Sequence, residues 1–155
     1  MKIKTNSGFT LIEILIVVAI IATLASVVLV GLGSFRGRGR DTRRISDLRQ
    51  IQSALELYYA KNQTYPDFPV NFSDPSTSGW LAFSNALITA GIGVSNLSND
   101  PLKSQSYAYG TNGQSYVLGA KLEDENSSAL KDSVKGGGND TFGVDCSGSV
   151  YCIKL

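Results

Sequence analysis

Apolar residues follow two different rules along this chain of 155 residues. From Phe9 to Leu32 they run almost without interruption, with 16 of 24 residues being Phe, Leu, Ile or Val and Glu13 the only ionisable side chain. A helix of that length rises about 36 Å against a bilayer hydrocarbon core of about 30 Å. Each such side chain favours insertion by roughly 0.3–0.6 kcal/mol, so the run gains about 5–10 kcal/mol against a few for one carboxylate. A membrane-spanning helix is therefore expected over residues 9–32. A cleavable secretory signal would carry a shorter apolar region followed by an Ala-x-Ala site, and none follows here.

Beyond the stretch GSFRGRGRD the rule changes to spacings of three and four. Ile45, Leu48, Ile51, Leu55 and Tyr58, with Ala54 and Tyr59 beside them, form one apolar stripe. Arg43, Arg44, Asp47, Arg49, Gln50, Gln52 and Glu56 occupy much of the opposite side. The pattern predicts that a helix resumes at about Asp41, ends near Lys61 and lies with its stripe on a sheet. Asn62 to Gly79 contains Pro66, Pro69 and Pro75 among Ser, Asn and Asp, which predicts an irregular connection. Trp80 to Ala90 places Leu81, Ala86 and Leu87 at helical intervals before Gly91, a short helix with a glycine stop. Tyr107 to Tyr109 and Tyr116 to Leu122 flank Gly110, Thr111, Asn112 and Gly113, and the Asn-Gly pair is a strong hairpin signal. Tyr116, Leu118, Ala120 and Leu122 alternate onto one face, which should cover the helix stripe. A third strand is expected at Val150 to Lys154. Glu123 to Gly138 reads as a polar loop with at most one helical turn near Ala129. The order implies an α+β fold: a long amino-terminal helix packed on a small antiparallel sheet.

Composition narrows the chemistry. The chain is 43% hydrophobic and 17% charged with a formal net charge of +1, which excludes an extended acidic chain and a strongly basic nucleic-acid coat. It has no histidine, so Ser-His-Asp and Cys-His nucleophiles and histidine-bearing zinc sites cannot form. No residue set for an enzyme is present. Two cysteines are too few for an all-cysteine zinc site. Cys146 and Cys152 could close a short carboxy-terminal turn, stabilising it by roughly 2 kcal/mol, or stand as two buried thiols. A bridge would favour an oxidising compartment. Gly136, Gly137 and Gly138 lack the Lys and Ser/Thr of a phosphate loop and read as a flexible tip.

The most specific signal is at the amino terminus, where MKIKTNSG runs directly into Phe9, Thr10, Leu11, Ile12 and Glu13 ahead of the apolar helix. This string resembles the class III signal of prepilins, the precursors of type IV pilins and type II secretion pseudopilins. The resemblance is carried most sharply by residues 1 to about 32 and extends along the helix to about Tyr59. It implies an eight-residue leader at 1–8, a filament-core helix at 9–32 and an extracytoplasmic globular domain at 33–155. It further implies cleavage between Gly8 and Phe9 by a prepilin peptidase and N-methylation of the Phe9 amine. Physical chemistry agrees with the pattern: a glycine before the scissile bond lets a protease approach the backbone. The new ammonium and the Glu13 carboxylate would each be costly unpaired at the membrane edge or in a helical bundle. In the family this glutamate pairs with the amine of a neighbouring subunit, setting axial stagger in a homo-oligomeric helical filament that an inner-membrane platform and an ATPase assemble. Thr10 and Glu13 are thus assembly residues. The family commonly has a proline near the end of the membrane segment; this chain has Val30 there, then Gly31 and Gly33. Two glycines can loosen the helix, each costing about 1 kcal/mol relative to alanine, or can serve close packing with Ala22, Ala25 and Ser26.

Two features pull the other way. Arg36, Arg38, Arg40, Arg43, Arg44 and Arg49 follow the membrane segment, outnumbering Lys2 and Lys4 before it, and the positive-inside rule alone would place the globular part in the cytoplasm. The processing motif and the cysteines place it outside, and that is the expected topology: a single-pass precursor in the cytoplasmic membrane, then a surface pilus or periplasmic pseudopilus. The arginines, or Tyr65, Phe68, Phe72 and Trp80, could instead engage DNA or another ligand, and a simple membrane anchor with a small external domain is a third reading. No cofactor is expected. Glu123, Asp124, Glu125, Asn126, Asn139, Asp140 and Asp145 supply oxygen ligands, and the major pseudopilins use a loop calcium. The EF-hand spacing is absent, however, and solvated acids are the plainer reading.

Overall fold

The structure is a computed structural model that describes residues 9–72 and 77–155, with side chains described throughout except at 27–32, 34, 77–78 and 139–140. Its elements in chain order are α1 (Leu11–Asn62), α2 (Thr77–Thr89), β1 (Ala108–Thr111), β2 (Tyr116–Lys121) and β3 (Val150–Lys154). Two short 3-10 turns, Ser128–Lys131 and Gly138–Thr141, lie between β2 and β3. The chain divides into two compact units, one ending at Arg36 and the other running from Gly37 to Leu155.

In the first unit α1 exposes Phe9, Leu11, Ile12, Leu15, Val18 and Leu24, and Leu11, Ile14, Leu15, Val18, Ala19 and Ala22 line an open apolar groove. Among the described residues no helix is long and apolar enough to cross a membrane; residues 27–32 of the expected span lie outside the described side chains. The backbone is helical through Gly31 and Gly33, and nothing stands within 4 Å of the place a Cβ would take at Gly33. The helix therefore does not stop and resume at Asp41: it is one element of 52 residues that absorbs Gly33, Gly37 and Gly39. Glycine lowers helix propensity without blocking the backbone ladder, and contacts made by the turns beyond Gly37 supply the difference.

In the second unit the three strands form an antiparallel sheet in the order β1-β2-β3. β1 meets β2 with Ala108 opposite Gly119 and Thr111 opposite Tyr116, and β2 meets β3 with Leu118 opposite Ile153. Strand alternation sorts the side chains onto two faces. Tyr109, Tyr116, Leu118, Ala120, Tyr151 and Ile153 join Leu48, Ile51, Ala54 and Leu55 of α1 in the main core, as the alternation predicts. Ala108, Val117, Val150 and Cys152 form a second, smaller core with Val144 and Cys146. The segment between β2 and β3 is thus a cover for the rear face. Gly110 and Gly119 face the same side: an added Cβ would run into the Phe142 carbonyl of that cover at the first, and at the second into the Phe72 ring from the connection after α1.

Three expectations need correction. β1 continues through Gly110 and Thr111, so the turn is Asn112–Ser115, where the Asn112 Oδ1 accepts the N–H groups of Gln114 (3.0 Å) and Ser115 (2.8 Å) and Gly113 has φ +86°. The buried face of α2 is Trp80, Phe83, Ser84 and Leu87, leaving Leu81 exposed, because the bulkier aromatic rings claim the contact with Tyr107 and Tyr109. The triple glycine is tied down, with the Gly136 carbonyl accepting from Cys146 N–H at 2.8 Å and the Gly138 carbonyl from Gly143 N–H at 2.9 Å.

Both outer strands are shielded. Val70 exchanges two backbone hydrogen bonds with Tyr109 on the free side of β1, at 2.9 and 2.8 Å. On the free side of β3, Cys152 N–H donates to the Ser133 hydroxyl oxygen at 2.8 Å and Val134 N–H donates to the Cys152 carbonyl at 3.1 Å. Cys146 and Cys152 form a disulfide with a Cα–Cα separation of 5.9 Å, buried against the rear face of the sheet.

Candidate functional site

The amino-terminal site begins at the first turn of α1. Gly8 lies outside the described residues, and Phe9 is the exposed residue just before the helix. Thr10 is the N-cap. Its hydroxyl oxygen accepts the Glu13 N–H at 3.3 Å, while the Glu13 carboxylate reaches back to accept from the Thr10 N–H at 3.2 Å and the Thr10 hydroxyl at 3.0 Å. This is a capping box, two orphan donors at a helix start satisfied reciprocally. The signal was in the chain as Thr10-x-x-Glu13, and reading Glu13 only as a charge in an apolar run passes over it. The box also fixes where the carboxylate sits, one turn back beside the peptide bond that follows Phe9. Negative charge at that end of a helix is favoured by the partial positive charge of the exposed N–H groups.

The second unit holds a charged cluster at the start of the packed part of α1. The buried stripe Leu48, Ile51, Leu55 continues toward the amino end as Arg44, Asp41 and Gly37, at the same helical spacing but in charged or glycine residues. Arg44 is fully buried. Its Nε and Nη2 donate to both carboxylate oxygens of Asp100 at 2.7 and 3.0 Å, and its Nη1 donates to Asp41 at 2.7 Å and Glu123 at 2.9 Å. Asp41 also accepts the backbone N–H groups of Glu123 and Asp124, each at 2.9 Å. Arg40 Nε donates to Glu123 at 2.6 Å, and Arg38 pairs with Asp124 at 3.2 Å. Asp47 accepts from the Tyr107 hydroxyl at 2.7 Å and pairs with Arg43 at 3.7 Å. Arg44 and Asp47 are therefore not on a solvated face, as their polarity suggests: the loops bearing Asp100 and Glu123 close over Arg44, and Tyr107 meets Asp47. A buried charge needs partners, and here four of the five N–H groups of the Arg44 fork donate to acids.

The arrangement answers several expectations. Arg38, Arg40, Arg43 and Arg44 are each paired with a carboxylate, and Arg49 donates to the Tyr151 hydroxyl at 3.1 Å; Arg44 alone of these is buried, while Arg38, Arg43 and Arg49 stay exposed. Tyr65 and Trp80 are core residues, Phe72 packs on the rear core, and only Phe68 of the four aromatic residues is exposed. Of the loop acids, Glu123 and Asp124 are spent on arginines, and Asp145 accepts from Ser147 N–H at 3.0 Å. The side chains of Asn139 and Asp140 lie outside the described residues.

Hydrogen bonds from Arg40, and then Arg44, hold the Glu123 carboxyl at about 2, against partial desolvation. Because the folded value lies below the ordinary 4.5, the stabilisation from Glu123 is complete above pH 4.5 and is lost as pH falls toward 2. Acid unfolding of Glu123→Gln should accordingly show a shallower loss of stability between those two values than the parent chain, read from urea midpoints at successive pH values. Burial pushes the Tyr107, Tyr109 and Tyr116 hydroxyls well above their usual value, and hydrogen bonds to Asp47 and Glu56 add to it at Tyr107 and Tyr116.

Comparison with known proteins places both units in context. Residues 3–29 match the family model described as the prokaryotic N-terminal methylation motif. The type II secretion system core protein G of Aeromonas hydrophila is 33% identical over 66 residues, 43% of this chain and 46% of that protein. The type IV major pilin protein PilA of Myxococcus xanthus is 35% identical over 63 residues, 41% of this chain and 29% of that protein. The chain thus spans less than half the length of these curated relatives. A probable minor fimbrial protein of Dichelobacter nodosus is 33% identical over 128 residues, 77% of this chain and 80% of that protein. No solved structure matches. An alignment that covers more than three quarters of both proteins, together with the methylation motif at residues 3–29, makes the chain a member of the type IV pilin and type II secretion pseudopilin family.

Proposed function

We propose that this chain is a structural prepilin subunit, cleaved after Gly8, N-methylated at Phe9 and polymerised into a type IV pilus or a type II secretion pseudopilus. The observation that carries the reading is the capped carboxylate of Glu13 at the head of an exposed apolar helix. Before assembly the helix at 9–32 spans the cytoplasmic membrane with the globular unit outside. On assembly the apolar groove side of the helix packs on other copies, and Glu13 pairs with the Phe9 ammonium of a neighbour. Head-to-tail contacts of this kind do not close, so they build a helical filament. The chain is the substrate of the prepilin peptidase and the cargo of an inner-membrane platform and ATPase; it supplies no catalytic group and needs no cofactor. The alignment that extends into the globular unit is to a protein named as fimbrial, which supports the pilus over the pseudopilus.

Mass spectrometry of the amino terminus tests the reading. The expected species starts at Phe9 and carries one added methyl group. A chain that keeps Met1 in cells with an active prepilin peptidase would instead mark a simple membrane anchor.

A further inference from the structure

We propose that the arginine–carboxylate cluster is a mechanical clasp, the first point at which tension arriving along α1 is transferred to the globular unit. The inference rests on the filament reading for its purpose and on geometry for its substance. Within the unit that starts at Gly37, the first side chains of α1 to be fixed are Arg38, Arg40, Asp41 and Arg44. Each is tied to a segment far away in sequence: Arg38 to Asp124, Arg40 to Glu123, Arg44 to Asp100 and Glu123, and Asp41 to the backbone of residues 123 and 124. The apolar contacts begin after these residues, with the half-buried Ile45 and then the fully buried Leu48. Dispersion contacts are individually weak and non-directional, whereas a two-pronged guanidinium–carboxylate contact is directional and must be broken as a unit. The cluster is also shut off from water at its centre, since Arg44 and Asp100 are both almost completely buried. A helix pulled from its amino end meets these bonds before it meets the core.

The clasp is distinguishable from a merely stabilising cluster by the direction of pull. The full chain in detergent, with its disulfide intact, is held at Leu155 and at a cysteine introduced either at Arg36 or at Ala60. Both positions are exposed and lie at opposite ends of the packed part of α1. Glu123→Gln and Asp124→Asn keep side-chain shape and remove charge. At a fixed force applied through position 36, each variant should unfold faster, by about a hundredfold for Glu123→Gln. Through position 60 the change should be about tenfold or less, because bonds broken late leave the barrier little altered. Equal acceleration from both ends, or none from position 36, would overturn the clasp. Neither result would touch the reading of the chain as a filament subunit, which stands or falls on the processed amino terminus.

Discussion

Glu13→Gln should be processed at Gly8 like the parent chain yet yield few filaments, with sheared and sedimented polymer falling by more than about tenfold. The substitution is sharper than its chemistry suggests, because a capping box accepts Gln at its third position as readily as Glu. The Thr10 hydrogen bonds, the helix start and the apolar face therefore persist, and what disappears is the negative charge. An ammonium left without its partner in a water-poor helical bundle costs about 3–5 kcal/mol, a factor of roughly 10² or more in each subunit addition. Glu13→Ala removes cap and charge together and so cannot separate them. Normal polymer from the Gln variant would show that the carboxylate matters as a cap alone and would remove charge pairing from the account of assembly.

Arg44→Met should destabilise the globular unit by about 3–5 kcal/mol, because three carboxylates would be left facing an apolar side chain in a closed site. For a domain of this size that corresponds to a fall of about 10–20 °C in melting temperature. The fluorescence of Trp80, which is buried between Phe83 and Tyr107, reports the transition. Arg43→Met is the matched control: its side chain is 59% exposed and its ion pair to Asp47 is long, so a change within about 1 kcal/mol is expected. Equal melting of both variants would mean that the buried cluster contributes no more than a surface pair does.

The fold was legible where periodicity acts alone. The stripe through Leu48, Ile51 and Leu55, the alternation through Tyr116, Leu118 and Ala120, and the Asn112-Gly113 turn each rest on local geometry, and each stands in the structure. What escaped is what depends on distant partners. Arg44 obeys the helical spacing of the core as well as Leu48 does, but a charged residue signals burial only once Asp100 and Glu123 are known to arrive, 56 and 79 positions away. The same reason hides the continuity of α1: a run holding Gly33, Gly37 and Gly39 looks like an interruption until the bonds that hold its far side are counted. In the amino-terminal site the residue types were legible and the hydrogen bonds between them were also available, in the spacing of Thr10 and Glu13.

The shielding of β1 by Val70 and of β3 by Ser133 and Val134 matters most once copies are crowded together. A polymer holds its subunits at enormous local concentration, the very condition under which bare strand margins zip into ribbons that never come apart. Margins already bonded at Tyr109 and Cys152 leave little bare strand for a neighbouring copy to extend, and side-chain contacts, unlike strand pairing, can be made and undone. In the filament proposed above, subunits joined through side chains would keep their own sheets whole, and the polymer would remain separable into folded copies.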